Sequence, residues 1–308
     1  MMRILVLGAA AGGGVPQWNC NCGICRSARQ NKNGGGAGIG RSAQASVAVS
    51  ADGDHWFLIN ASPDLRQQVI DNPQLHPRHG LRHSPIAGVL LTNGDVDAIA
   101  GLLTMREGSP FTLYAHDNVL GILRANTIFN VLSPIHVKRQ PIQLETPFAL
   151  TLPDGRPSGL TVTAFAVPGK VPLYLEGGAP NPDAIDTIGL LVENGDSRFY
   201  YVAACAEVTP DLAERLAGAP MVFFDGTLWQ DDEMIKGGLG AKTGRRMAHL
   251  SMAGEKGSIE SFRPIPVGRK IYLHINNSNP AWHPDSPERH HLVQAGWEIL
   301  PDGTEISL

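Results

Sequence analysis

Leu90-Leu-Thr-Asn-Gly-Asp-Val-Asp-Ala-Ile-Ala-Gly101 is an apolar strand that ends in polar residues and passes straight into a helix. Two carboxylates, Asp95 and Asp97, stand at the carboxyl end of that strand, where open α/β sheets gather ligands and catalytic groups. The same stretch also suits a plainer role, with Asp97 or Asn93 capping the helix that follows. Outward from it, strand-length apolar runs recur at Arg3–Leu7, Ala45–Ser50, Trp56–Asn60, Gly88–Thr92 and Phe111–Tyr114. They continue at Leu160–Val167, Ile188–Glu193, Phe199–Ala203, Val222–Asp225 and Lys270–Ile275. Helical periodicity marks Pro63–Ile70, Ala98–Met105, Asn118–Phe129, Pro210–Leu216 and Ser286–Ala295. The pattern predicts one α/β domain over residues 1–308, β-rich in its first half and without a 20–50-residue repeat. Glycine stretches at Gly34–Gly40 and Gly177–Pro182 read as loops, since strand patterns resume after each.

Hydrophobic residues make up 43% of the 308 and charged residues 18%, with 35 Gly and 23 Pro. That excludes a disordered or collagen-like chain and describes a loop-rich globular one. A net charge of −4 gives no basic field for a dedicated nucleic-acid binder. The chain holds no apolar run of 18 residues, so no membrane span is expected. Arg3, the apolar run and Ala9-Ala10-Ala11 imitate a secretion signal, but Ile4 to Leu7 is too short for its apolar core. The four cysteines, three of them within six residues, make no disulfide framework, and a reducing, cytoplasmic setting is expected.

Those three are Cys20-Asn-Cys22-Gly-Ile-Cys25. Thiolates at this spacing converge on one tetrahedral ion, with Gly23 permitting the turn and a fourth ligand coming from elsewhere. A closed site of that kind is structural and would pin the N-terminal loop. Gly12-Gly13-Gly14 lacks the spacing of a phosphate cradle, and Pro16 follows, so the run reads as a turn that lets backbone approach a cleft. Late in the chain, Phe223-Phe-Asp225-Gly-Thr227 ends an apolar strand with an acid. His249-Leu-Ser251 follows a basic turn, Lys242-Thr-Gly-Arg-Arg246, and Tyr272-Leu-His274-Ile-Asn-Asn277 ends a strand with a histidine and two amides. Three strand ends delivering metal-type or acid–base groups point to one site. His76, His79, His283, His290 and His291 read as solvated, and Cys205 as a small buried hydrophobe.

Together these motifs resemble the pyrroloquinoline quinone (PQQ) biosynthesis protein B family. The resemblance rests on Gly8-Ala-Ala-Ala-Gly-Gly-Gly-Val-Pro-Gln-Trp-Asn-Cys-Asn-Cys22, Asn60-Ala-Ser-Pro-Asp64, Arg82-His-Ser-Pro-Ile86, Leu102-Leu-Thr-Met-Arg-Glu-Gly108, Lys242-Thr-Gly244 and His274-Ile-Asn-Asn277. It covers essentially the whole chain and implies a metallo-β-lactamase-like αββα sandwich with its site at one edge between two sheets. Thr92 to Gly101 takes the place of the superfamily's T-H-x-H-x-D-H-x-x-G. Asn93 and Asp95 replace the first two histidines, Asp97 keeps the aspartate, and Ala98 replaces the last histidine, which the family itself keeps. His274 matches the superfamily's late metal-binding histidine, and Asp225 with His249 resembles a proton-transfer dyad. Asn277 matches the position of the fourth zinc ligand in the tRNA-processing and phosphodiesterase branch; His249, a backbone carbonyl or water are the alternatives.

The resemblance implies an iron- and O2-dependent hydroxylase acting on tyrosine in a processed precursor peptide of Glu-Tyr type. Ferrous iron (Fe2+) would bind through His274 with Asp95 or Asp97, as in histidine–carboxylate oxygenases. Zinc (Zn2+) would take the cysteines, Asp225 and His249 would handle protons, and Lys242, Arg245 or Arg246 would bind substrate carboxylates. A metal-dependent hydrolase is the weaker rival, because dinuclear chemistry needs the missing histidines. A non-catalytic carrier of PQQ or its precursor is the other, and Ala98 favours it. Other PQQ-biosynthesis proteins and a second copy of the chain, as a homodimer, are compatible partners.

Overall fold

The computed structural model describes residues 1–31, 38–177 and 185–308. Most of the two glycine stretches read as loops lies outside these residues. In chain order the strands are β1 (Arg3–Gly8), β2 (Ser46–Ser50), β3 (Trp56–Ile59), β4 (Ile86–Leu91), β5 (Phe111–His116), β6 (Val137–Ile142) and β7 (Phe148–Thr151). They continue as β8 (Pro157–Ala166), β9 (Ile188–Asn194), β10 (Ser197–Val202), β11 (Ala219–Asp225), β12 (Val267–Leu273), β13 (Trp297–Glu298) and β14 (Glu305–Ser307). They form two seven-stranded sheets, β14-β1-β2-β3-β4-β5-β6 and β13-β12-β11-β10-β9-β8-β7.

Period-two patterning explains the layers. Ile4 and Val6 of β1 face the core between the sheets with Met221 and Phe223 of β11 and Ile271 and Leu273 of β12. Their neighbours Leu5 and Leu7 pack outward under one helical layer, and Val222, Phe224 and Tyr272 under the other. Because both faces are covered, these strands read as continuous apolar runs. The expected αββα sandwich is therefore present.

Helices alternate with parallel strands in both halves. β3 to β6 are parallel, as are β10 to β13, while β7 to β10 form an antiparallel meander. The strand-rich stretch is thus the middle of the chain, correcting the expectation of a β-rich first half. All ten predicted strands are found; the missed β6, β7, β13 and β14 are sheet edges or short. β6 is VKRQPI, and its exposed side chains and Pro141 are typical of an edge strand.

The carboxyl ends of β4, β11 and β12 gather at one edge. Ile188 N–H donates to Thr92 O at 2.9 Å, and Ala11 N–H to Ile275 O at 2.9 Å, tying the two sheets together there. No helix among the described residues is long and apolar enough to cross a membrane.

Candidate active site and metal centres

At the joined edge lies a cleft of about 540 Å³ lined by Asp95, Asp97, Thr227, Lys242, His249 and His274, with Gly12 and Gly13 bringing backbone against it. The glycine turn thus does what its composition indicated: Gly13 adopts φ +98°, a left-handed backbone that glycine alone takes freely.

Asp225, at the end of β11, is fully buried. Its Oδ1 accepts from Thr227 N (3.0 Å) and Thr227 Oγ1 (2.7 Å), and its Oδ2 from Cys205 N (2.9 Å) and His249 Nδ1 (2.7 Å). Burial alone would raise this carboxyl, but the facing imidazoles and the donors hold it below the ordinary aspartate value. The predicted Asp225–His249 pair therefore exists. Sequence reasoning missed the role of Thr227, whose Oγ1 also lies 3.0 Å from His249 Nδ1 and 2.8 Å from His274 Nδ1.

The hydroxyl has a single hydrogen. Given to Asp225, it leaves Thr227 Oγ1 to accept only, so each imidazole carries its hydrogen on Nδ1. The two rings stack with centroids 4.9 Å apart. Asp225, His249 and His274 bring ligand-type atoms within 4.8 Å of one another, but the Thr227 hydroxyl bonds to all three. In this structure the three groups are joined through Thr227 as a hydrogen-bond junction.

The same tautomer leaves His274 Nε2 as an acceptor, and it faces Asp97 Oδ2 at 2.9 Å. Two acceptors at that distance need a proton or a metal ion at the pair. Burial would lower the His274 imidazole, yet Asp97 outweighs it and raises the pKa to about 8. His274 also holds φ +57°, where a non-glycine residue costs about 1–2 kcal/mol, and its bonds to Thr227 and Asp97 fix it there. Asp95 is raised by burial and by repulsion from Asp97. One imidazole nitrogen beside two carboxylates is a donor set suited to a divalent N/O-ligated metal.

Neither capping expectation holds. Asp95 occupies the N-cap position of the Val96–Ile99 helix without capping it through its side chain. Asp97 turns to His274, and Asn93 Oδ1 accepts from Asp95 N at 3.0 Å, shaping the loop. Ala98 is buried at 4% exposure within the apolar cluster behind the first sheet.

The cysteine cluster closes as its spacing predicted. Cys20, Cys22 and Cys25 present their sulfurs within 4.8 Å of one another. Cys22 precedes the short Gly23–Gln30 helix, and its Sγ accepts from Cys25 N at 3.4 Å. Burial pushes the Cys25 thiol up to about 11, so a bound cation is what would make it a thiolate ligand. Asn277, three residues beyond His274, places its side-chain amide at 3.1 Å from Cys20 Sγ and 3.3 Å from Cys25 Sγ. A half-turn of that amide presents its oxygen instead, so three sulfurs and one oxygen fit a tetrahedral zinc. His249, the alternative fourth ligand, is engaged at Asp225 and Thr227.

Of the basic turn, Lys242 lines the cleft, while Arg246 is exposed and pairs with Glu176. Arg245 is exposed; its backbone N–H donates to Asp231 and it does not line the cleft. His79, His283, His290 and His291 are exposed and His76 partly so, while Cys205 is buried with its thiol pushed up to about 12. These follow the sequence reading.

Comparison with known proteins agrees with this architecture. A model of the beta-lactamase superfamily domain matches residues 55–275. The coenzyme PQQ synthesis protein B of Rhodopseudomonas palustris (strain TIE-1) is 58% identical over 314 residues, covering 100% of both chains. That of Bradyrhizobium diazoefficiens is 59% identical over 315 residues, again covering 100% of both. The chain belongs to the coenzyme PQQ synthesis protein B family. Among solved structures, zinc-bound PqqB from Methylobacterium extorquens superposes with a TM-score of 0.93 at 49% identity, covering 99% of this chain and 100% of that one. A diphosphatase of the PhnP family shares the fold at 19% identity and a TM-score of 0.66, covering 99% and 96%.

Proposed function

We propose that this protein serves in coenzyme PQQ synthesis as an iron- and O2-dependent hydroxylase of tyrosine in a small Glu-Tyr-type peptide, with zinc at the cysteines as a structural ion. The names of its full-length relatives support the biosynthetic role, and the zinc-bound relative supports the zinc. One observation carries the rest: His274 Nε2 and Asp97 Oδ2 meet at 2.9 Å in an open cleft, beside Asp95, with no imidazole at positions 93 or 98. A single metal held by His274, Asp97 and Asp95 would supply activation of O2. The chain's own groups do the rest. Asp225 and Thr227 fix the tautomers of His249 and His274, His249 Nε2 is left to take a proton from the substrate, and Lys242 with Arg246 meets its carboxylates.

The test is oxygen uptake by anaerobically purified, iron-loaded full-length protein given Glu-Tyr. Uptake in step with hydroxylated dipeptide is expected, and it should vanish in Asp97→Ala. Binding of the dipeptide without any uptake overturns the hydroxylase and leaves the carrier, the reading that Ala98 favours.

Ala98→His restores the superfamily's imidazole and is expected to tighten iron at least about tenfold, the scale on which even supporting residues move metal affinity. Iron titrations of the two proteins measure it. Equal affinities would mean that a side chain at position 98 packs with the apolar cluster and does not reach the metal.

A further inference from the structure

Residues 169–176 run along the cleft as a strap, with Gly169, Lys170, Leu173 and Tyr174 lining it. Its near end is fixed by a close approach: a Cβ at Gly169 would lie 2.3 Å from Thr187 Oγ1. At its middle, Tyr174 Oη donates to Gly94 O at 2.7 Å, and the Leu173 backbone N–H faces the Asp95 carboxylate. Its far end is held by charge. Glu176 pairs with Lys170, with Lys242 Nζ at 3.2 Å and with Arg246 at 3.3 Å, so three cations from two segments converge on one carboxylate. Lys170 first, then Lys242, holds Glu176 down to about 2 against the opposing effect of desolvation. Lys170 and Lys242 line the cleft. Leu173, Tyr174 and Leu175 meanwhile stand 60%, 44% and 41% exposed, an apolar face turned outward on the same segment.

Three cations at the rim of a cleft around a single carboxylate are a receptor for a carboxylate, and Glu176 is the one supplied by the chain itself. We propose that Lys170, Lys242 and Arg246 form the binding site for a carboxylate of the small-molecule ligand, and that Glu176 occupies this site until the ligand displaces it and frees the strap. Lys170 and Glu176 thereby join the substrate site; the inference rests on the cleft of the proposed function being the ligand site. Exchange of one carboxylate for another keeps the cations neutralised throughout, whereas an uncharged ligand would strand Glu176 or leave the cations bare. Because the ligand meets a competent site only when the strap is unlatched, its apparent affinity is reduced by the unlatched fraction.

The test compares calorimetric binding of Glu-Tyr to full-length wild type and Glu176→Gln, with Gln-Tyr amide as the uncharged probe. A strap latched about 90–99% of the time predicts that Glu176→Gln binds Glu-Tyr about 10–100-fold tighter. Gln-Tyr amide should gain nothing, and the double variant Lys170→Met/Lys242→Met should lose the Glu-Tyr gain. If Glu176 only staples the loop, Glu176→Gln binds with equal or weaker affinity and the proposal falls. It falls also if neither protein binds Glu-Tyr. Tighter binding without oxygen uptake would sink the hydroxylase and spare the strap; turnover with unchanged affinity would do the reverse.

Discussion

Cys22→Ser is expected to release about one zinc per chain and to lower the melting temperature in the same step. The sulfur it removes is one of three that lie within 4.8 Å of one another, on a loop that ties into the second sheet through Asn277, the β12 end and packing against Trp282. A metal bridging that loop to Asn277 acts as a cross-link between positions more than 250 residues apart in sequence. Losing a native cross-link costs about 2–5 kcal/mol, and for a domain of this size each kcal/mol moves the melting temperature by roughly 2–4 °C. A fall of roughly 4–20 °C, with zinc lost by metal analysis, is therefore expected. Added zinc should restabilise the wild type and not the variant, since binding free energy in such sites is folding free energy. Unchanged zinc content in Cys22→Ser would show that the ion sits elsewhere.

What the sequence disclosed follows the range of the interactions involved. β11 and β12 were legible because burial on both faces forces continuous apolar runs such as Met221–Phe224. The cysteine cluster was legible because its geometry is set within six residues. Strand-end acids and histidines were legible as a group because a parallel sheet gathers strand ends, although their partners were not. β6 escaped because an edge strand buries little and tolerates Pro141. The Thr227 junction escaped for a different reason. Asp225-Gly-Thr227 follows a strand and hints at a turn, but nothing local says that two imidazoles from residues 249 and 274 will meet its hydroxyl. The Glu176 receptor joins residues 66 and 70 positions apart, on segments whose composition reads only as polar loop. Arg245 was grouped with its neighbours by sequence, yet the short 3-10 turn at Arg245–Met247 sends neighbouring side chains in different directions.

Asp225→Asn is expected to damage the site more than any other isosteric change, and the reason lies in how its four bonds are divided. Each carboxylate oxygen accepts one backbone N–H, Oδ1 from Thr227 and Oδ2 from Cys205. An amide has only one accepting end, so whichever way the new side chain turns, its NH2 faces a backbone donor that cannot reverse. One buried N–H is left unsatisfied, at about 1–3 kcal/mol, and the charge that held both imidazole tautomers is gone. With the NH2 toward His249, the ring must accept at Nδ1 and move its hydrogen to Nε2, the atom assigned to take the substrate's proton. With the NH2 toward Thr227, the hydroxyl is released to donate to His274 Nδ1 and the Nε2 facing Asp97 becomes a donor. Either outcome removes proton handling or metal ligation, and turnover should fall by about 10²–10⁴, the range of a lost general base. Nitrogen-15 NMR of the histidine side chains reads the tautomers directly, with Thr227→Val as the companion variant that should release His274 without touching the Asp225–His249 bond. Zinc at the cysteines should stay bound in both. If Asp225→Asn keeps both rings in the Nδ1–H form and turns over at the wild-type rate, Asp225 is a turn anchor and His249 takes no proton from the substrate.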